Sequence, residues 1–350
     1  MRSIDMNISF IKLCKNGGLF LILLLLTFYS IFRETQPSQI LSAVSGADIK
    51  YLLLAICAMG IFLLGEGLNI GRCLQLFEKN RSVLCGIKYA VCGFFGSSVT
   101  PSASGGQPLQ LYFMHRDGVN LSHGTLALLF ELLSYQIVTI ALAVFGFFAV
   151  QDTISASMGD MKVLLFFGVG LNAVAMIVLI CAIFCGQVDE KIVSLFVKFA
   201  KKCSEERGAR LEETLTSALQ EYQRSAVFLK QNKNIFVKTL VTTVVQMIAM
   251  YSIPYWIYLS LGLSGYSAVT VIFLQAVLFA SVSALPLPGA MGVSEGAFSI
   301  LFQTLFTGGL LPGAMLLSRS MSFYLPLAVS GICTMILLVG VKKCTIRPEI

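Results

Sequence analysis

The sequence predicts an all-α integral membrane protein with about six full transmembrane helices and two re-entrant, broken-helix hairpins in an inverted repeat. Three observations predict it. Hydrophobic residues make up 56% of the chain and charged residues 12%, against roughly 25% charged in soluble domains, and the mean hydropathy is +0.82. Apolar runs of about 20 residues, long enough to cross a bilayer, recur along the whole chain. Two further apolar stretches are interrupted by proline and glycine. One reads Val99-Thr100-Pro101-Ser102-Ala103-Ser104-Gly105-Gly106-Gln107-Pro108, and the other Leu285-Pro286-Leu287-Pro288-Gly289-Ala290-Met291-Gly292-Val293-Ser294-Glu295-Gly296. Neither is an ordinary spanning helix, because proline removes a backbone donor and glycine tolerates non-helical angles. Broken backbone at membrane depth persists only inside protein or beside a water-filled cavity, and a pair of breaks, one in each half, points to a transport site.

The expected full spans are 17–33, 49–70, 122–149, 162–186, 235–261 and 313–341, with the broken stretches at 86–114 and 267–307. Arg2, Lys12 and Lys15 precede the first span, and no small-x-small cleavage site follows it, so it reads as a retained helix rather than a signal peptide. Loop 71–88 carries Arg72, Lys79, Arg81 and Lys88 against Glu78 and is expected in the cytoplasm. Loop 150–161 has Asp152 and Asp160 without a Lys or Arg, so it faces outward. Segment 187–234 is rich in Lys and Arg, and Lys342, Lys343 and Arg347 follow the last span. Both regions, like the N-terminus, are therefore expected inside.

This topology closes only if each broken stretch enters and leaves on one side, the first hairpin from the cytoplasm and the second from outside. The chain then reads as a single membrane domain over 1–350, with a first repeat at 17–149 and an inverted second repeat at 162–341. Pro101-x3-Gly105-Gly106 also matches Pro288-x3-Gly292-Val293. Within the connector 187–234, Ile192, Leu195, Phe196 and Phe199, then Leu211, Leu215, Leu219 and Tyr222, fall at helical spacing. Amphipathic helices lying on the inner face or packing under the bundle are expected there.

Ionisable residues inside apolar runs are costly, which makes each a functional candidate. Glu131 sits in Leu128-Leu129-Phe130-Glu131-Leu132-Leu133, Glu295 ends the second break, and Arg319 sits in Leu316-Leu317-Ser318-Arg319-Ser320-Met321. The alternative to a functional role is a buried pair that only fixes helix packing, such as Arg319 with Glu131 or Glu295. Glu66 lies closer to the end of its span and reads first as an interfacial charge. A half-helix starting after Gly106 or Gly292 would point its positive end into the membrane centre and favour phosphate or carboxylate, while Glu131 and Glu295 favour a cationic group. A site with both signs suits a zwitterionic or aminoacylated lipid headgroup.

Other classes recede. The net charge of +7 needs no nucleic-acid partner, since lysines and arginines in inward loops account for it. The ten cysteines contain no Cys-x-x-Cys and mostly sit in apolar runs, and with two histidines neither a disulfide framework nor a metal centre is indicated. No Walker loop, Gly-x-Ser-x-Gly, dinucleotide glycine pattern or His-Glu-x-x-His occurs, and no cofactor is expected.

The run Thr100-Pro101-Ser102-Ala103-Ser104-Gly105-Gly106-Gln107-Pro108-Leu109-Gln110-Leu111-Tyr112 resembles a signature of the lysylphosphatidylglycerol synthase transmembrane-region family, also called flippase-like or UPF0104 proteins. Leu287-Pro288-Gly289-Ala290-Met291-Gly292-Val293-Ser294-Glu295-Gly296 resembles its Pro-Gly-x-x-Gly-x-x-Glu-Gly element. Glu131, and Arg319 followed by Tyr324, Pro326 and Gly331, also fall where the family has such residues. The resemblance implies a unit that flips aminoacylated phosphatidylglycerol across the bacterial inner membrane, with a link to antibiotic resistance. In the best-known members a separate soluble C-terminal domain makes the lysyl lipid from lysyl-tRNA. This chain ends at Ile350, directly after its last span, so the expectation is a stand-alone membrane domain without that catalytic domain.

The expected substrate-binding residues are Thr100, Pro101, Ser104, Gly105, Gly106, Gln107, Glu131, Pro288, Gly289, Gly292, Glu295 and Arg319. Position 107 is Gln where many relatives carry Glu, which leaves Glu295 the stronger carboxylate candidate. A membrane phospholipid is the expected partner, and a homo-oligomer and a separate lipid-modifying enzyme stay open. The alternatives are a phosphatidylglycerol lysyltransferase-type protein acting with a partner and a transporter of a polyprenyl-phosphate-linked amphiphile.

Overall fold

Asp48 starts the first long helix. Its carboxylate accepts the Lys50 backbone N–H at 2.9 Å, and its own N–H donates to the Ser260 carbonyl at 2.8 Å. A computed structural model describes residues 45–79, 81–100, 103–151, 159–184, 219–227, 229–283, 285, 292–307 and 309–339. The secondary structure among these residues is entirely helical. In chain order the helices are α1 (Ile49–Phe77), α2 (Cys85–Ser98), α3 (Gly106–Arg116), α4 (Leu121–Ala149), α5 (Gly159–Phe184), α6 (Lys233–Tyr251), α7 (Ile253–Ser260), α8 (Ala268–Val282), α9 (Val293–Leu301), α10 (Leu311–Arg319) and α11 (Leu325–Val339). Between α10 and α11 the backbone makes a wide π turn over Ser320–Tyr324.

Among the described residues, five stretches are long and apolar enough to cross a membrane: Ile49–Phe77, Leu121–Ala149, Leu165–Ile183, Lys233–Ser260 and Leu311–Leu338. They coincide with five of the six expected spans, and the sixth, 17–33, lies outside the described residues. Each carries one packed face and one bare apolar face. Leu53, Leu54, Ile61 and Leu64 on α1, Phe166, Phe167, Val174 and Ile177 on α5, and Val329, Ile332 and Ile336 on α11 are exposed. That is the pattern of a bundle whose surround is lipid. Cys73 and Cys92 are buried as small apolar residues, whereas Cys57 faces outward.

The first hairpin is α2 and α3, folded back on each other. Lys88 and Tyr89 meet Asp117 at its mouth, Gly93 lies against Gln110, and Ser97 lies against Gly106 at its tip. The partners run in opposite directions, so the arms are antiparallel. Close approach requires glycine here: a Cβ on Gly96 would sit 2.6 Å from the Gly105 carbonyl oxygen. The second hairpin begins with α8, capped by the Ser267 hydroxyl on the Thr270 N–H. It resumes at Gly292, whose φ of +82° opens α9.

The halves pack reciprocally. α1 runs antiparallel to α6 and α7, with Asp48 beside Ser260, Gly65 beside Gln246 and Asn69 bonded to Thr243 at 3.0 Å. α2 packs on α11, with Phe95 against Gly331, and α8 packs on α4, with Phe273 against Gly146. The mouth of the first hairpin follows the Phe77 end of α1, and the mouth of the second follows Ser260 at the Asp48 end. The 29 residues of α1 put these ends about 43 Å apart. The hairpins therefore open toward opposite ends of the bundle.

The Phe77 end is the basic one. Glu78 gathers Arg81, His123 and the Asn120 N–H, Arg81 donates to the Asp117 carbonyl, and Arg116 donates to the Leu337 carbonyl of α11. Burial pushes the Glu78 carboxyl up, but the Asn120 N–H, Arg81 and His123 outweigh it and hold the group below the usual carboxylate range. The described tail of the connector packs under this end. Tyr222 donates to the Ala182 carbonyl of α5 at 2.7 Å, and Ala226 and Leu229 join a core with Leu179 and Ile183. Residues 187–218, including the Ile192–Phe199 and Leu211–Leu215 stripes, lie outside the described residues.

Candidate functional site

Residues of both hairpins line a cavity of about 350 Å³ beside the middle of α1. Ser97, Ser98, Ala103 and Gln107 line it from the first hairpin, and Ser283, Leu285, Ser294 and Glu295 from the second. Phe62 and Glu66 of α1, Glu131 and Tyr135 of α4, and Ser318 and Arg319 of α10 close it. Three carboxylates and one guanidinium thus share one space inside an apolar bundle.

Local chemistry orients each of them. Glu295 is the third residue of α9, and its carboxylate reaches back to accept the Gly292 N–H at 2.6 Å and the Ser294 hydroxyl at 2.9 Å. A carboxylate at a helix N-terminus satisfies an orphan donor and complements the helix dipole. Arg319 donates its Nε to the other carboxylate oxygen at 2.8 Å and another guanidinium nitrogen to the Ser294 hydroxyl. Of the two partners that the sequence leaves open for Arg319, the structure selects Glu295. The guanidinium also lies over the Phe323 ring at 5.6 Å. Its position depends on the break that follows: Pro326 has no N–H to give the Ser322 carbonyl, and the turn widens over Ser320–Tyr324.

Glu66 and Glu131 are placed differently. Glu66 accepts the Gln110 side-chain amide at 2.9 Å, and Gln110 itself is buried. Glu131 lies within electrostatic range of Glu66, and among the described residues no hydrogen bond or ion pair engages its carboxylate. The Glu295–Arg319 pair is neutral overall, so the ionisable groups of the cavity left without a cation are the Glu66 and Glu131 carboxyls.

The structure brings Gln107, Glu131, Glu295 and Arg319 of the expected residues into one cavity. Thr100, Gly105 and Gly106 build the tip instead. The Thr100 hydroxyl donates to the Gly96 carbonyl and accepts the Gly105 N–H, both at 2.8 Å, and Gly106 is buried against Ser97. Ser104 is exposed at the tip, and Gly292 supplies the first turn of α9. Pro101, Pro288 and Gly289 lie outside the described residues. α3 starts at Gly106 and α9 directly after Gly292, the two half-helix starts that the breaks predict. The N-terminus of α9 already holds an anion, the Glu295 carboxylate.

Glu66 corrects the sequence reading. It is not an interfacial charge, because α1 continues to Phe77 and leaves Glu66 eleven residues from its end. The continuing polar spacing Glu66, Asn69 and Arg72 was the signal for a helix running past residue 70. Among the described residues, no group of three His, Cys, Asp or Glu gathers to hold a metal.

Residues 17–330 match the family described as the lysylphosphatidylglycerol synthase TM region. The chain is also similar to a UPF0104 membrane protein of Archaeoglobus fulgidus, at 22% identity over 277 residues covering 78% of this chain and 82% of the relative. A UPF0104 membrane protein of Pyrococcus horikoshii is 23% identical over 327 residues, covering 90% of this chain and 93% of the relative. With a match over nearly its whole length, an all-helical bundle and five spans, this chain belongs to the lysylphosphatidylglycerol synthase transmembrane-region family.

Proposed function

We propose that this protein moves a phospholipid headgroup across the bilayer, as a flippase or scramblase, with lysylphosphatidylglycerol or a related aminoacyl phospholipid as its substrate. One observation carries the reading: a cavity lined by both hairpins, with three carboxyls and a guanidinium in its otherwise mostly apolar wall, lies midway along a bundle whose outer faces are apolar. The headgroup enters this cavity while its acyl chains stay in the surrounding lipid. Glu131 and Glu66 meet the ammonium groups. Arg319, partly released from Glu295, meets the phosphate together with Gln107 and the first turn of α3. Thr100, Gly105, Gly106 and Gly292 hold the tips in shape around it. An aminoacyl phosphatidylglycerol suits the excess of carboxylates better than a polyprenyl phosphate, whose charge is only negative.

In this reading the basic end faces the cytoplasm of a bacterial cell and both termini lie there, as lysine- and arginine-rich loops favour. The inverted repeat, 17–149 and 162–341, gives the two hairpins equivalent access from the two leaflets. A lipid-modifying enzyme supplies the aminoacyl lipid. The test is a dithionite-quench assay in proteoliposomes with fluorescent phosphatidylglycerol and its lysyl derivative. Wild type should expose the protected inner-leaflet lysyl lipid, and Glu295→Gln and Arg319→Ala should abolish this. No translocation of either lipid by folded protein would overturn the phosphatidylglycerol reading.

A further inference from the structure

Behind the cavity, polar side chains form a file along the α1–α6 interface. Thr239, Thr243 and Gln246 share one face of α6, at spacings of four and three residues, and Asn69 meets Thr243 from α1. Thr239 is 0% exposed, and Gln246 and Asn69 are each 1% exposed. Among the described residues the Thr239 hydroxyl, the Asn69 side-chain oxygen and both amide atoms of Gln246 have no hydrogen-bond partner. Gln246 packs against Gly65, the neighbour of Glu66, and Asn69 lies one turn along α1 from Glu66. Toward the basic end the file runs to Thr239, six residues from the start of α6, and Arg72 donates to Thr242, the neighbour of Thr243.

Unpaired polar groups are expensive at membrane depth. Adjacent ones in a row suit a line of water molecules, each needing about three polar partners. The file ends at two carboxylates that lack a counter-charge. Around Glu66 and Glu131 stand the phenols of Tyr135 of α4 and Tyr251 of α6, and across the cavity Glu295 of α9, already engaged by Arg319 of α10. α3 and α8 present the amides of Gln107, Gln110 and Gln275. Two ionised carboxylates do not persist together in such a space without a cation or a proton.

We propose that Glu66 and Glu131 share an exchangeable proton, reached from the basic end through a hydrated file past Thr239, Asn69 and Gln246, and that an ammonium group entering the cavity displaces it. The exchange conserves charge. The O–H bond of one carboxyl breaks, the proton passes to water in the file, and the ammonium becomes the counter-ion of the carboxylate. Headgroup entry is thereby tied to proton release. The displacement step rests on the headgroup reading above; the proton site and its file do not.

Infrared difference spectroscopy of the full chain in nanodiscs tests this. Wild type should show a protonated-carboxyl C=O band that shifts promptly in D2O and is lost in Glu66→Gln or Glu131→Gln. Gln246→Leu and Asn69→Leu keep both carboxyls and should each slow the D2O shift at least about tenfold. Nanodiscs containing lysylphosphatidylglycerol should bleach the band, and those with phosphatidylglycerol alone should not. Absence of the band from monodisperse wild type, or its survival in both Gln variants, overturns the proton site. Unchanged exchange in both Leu variants overturns the file. A band that exchanges but ignores the lysyl lipid overturns the displacement alone, and the dithionite assay then decides the headgroup reading by itself.

Discussion

Removing Arg319 tests whether the Glu295 pair is a desolvated ion pair or a screened surface contact. The side chains are 20% and 10% exposed, and the Nε–carboxylate distance is 2.8 Å. Arg319→Ala leaves Glu295 with the Gly292 N–H and the Ser294 hydroxyl but no cation, and an orphaned buried charge costs about 3–5 kcal/mol. Partial exposure puts the expected loss at the lower end, about 3 kcal/mol. Glu295→Gln alone keeps an acceptor for Gly292 and leaves Arg319 without its carboxylate, so it should cost somewhat less, about 2 kcal/mol. The double variant has no orphaned charge. It should lose clearly less than the sum of the single variants, with a coupling of about 1.5 kcal/mol or more. Equilibrium unfolding of the four proteins in one detergent, by denaturant titration with a common slope, measures the cycle. A loss under about 1 kcal/mol for Arg319→Ala, with additive single effects, is what an exposed pair gives, and it would refute the account of Glu295 and Arg319 as a desolvated ion pair.

Four further outcomes are expected. Thr100→Val removes the hydroxyl that holds the Gly96 carbonyl and the Gly105 N–H, and should cost about 1–3 kcal/mol in unfolding experiments, with Thr100→Ser retaining most of it. Ala103 has a φ of +53°, a conformation that costs a side-chain-bearing residue roughly 1 kcal/mol, so Ala103→Gly should not destabilise the protein, whereas Ala103→Val should. Gly96→Val pushes the hairpin arms apart at the Gly105 carbonyl, and loss of folded protein on size exclusion checks it. Glu78 has a folded-state pKa below its unfolded value, so its contribution is fully present above the unfolded pKa and disappears as pH falls through the folded one. Unfolding followed across the carboxylate titration range should therefore show an acid-side loss that is smaller in Glu78→Gln.

The five described spans are legible because continuous apolar runs are a strong signal, and the half-helix starts at Gly106 and Val293 are legible because glycine and proline leave few alternatives. Glu131, Glu295 and Arg319 stood out as charges in apolar runs, and they do share a cavity. The partner of Arg319 was not legible, since Glu131 and Glu295 are equivalent candidates until the orientation of α9 is known. A hydroxyl in a broken stretch has two uses that sequence does not separate, and the Thr100 hydroxyl bonds the backbone of the tip. Glu66 was misjudged because the loop charges that mark a membrane edge begin at Arg72, inside the helix. The file of Thr239, Thr243 and Gln246 gave no warning, because single polar residues in a long apolar helix carry no information about what the facing helix offers.

The π turn after Arg319 has a consequence for how the last span tolerates change. A π turn is equivalent to one residue inserted into an α-helix, and one residue corresponds to a rotation of about 100°. The segment carrying Ser318 and Arg319 is therefore out of phase with the segment carrying Val329, Ile332 and Ile336. Deleting one residue from Ser320–Tyr324 would restore a uniform helix and swing either the guanidinium away from Glu295 or the greasy stripe away from the lipid. The extra residue works as a phase shifter, letting one continuous segment satisfy two surroundings whose angular demands do not agree.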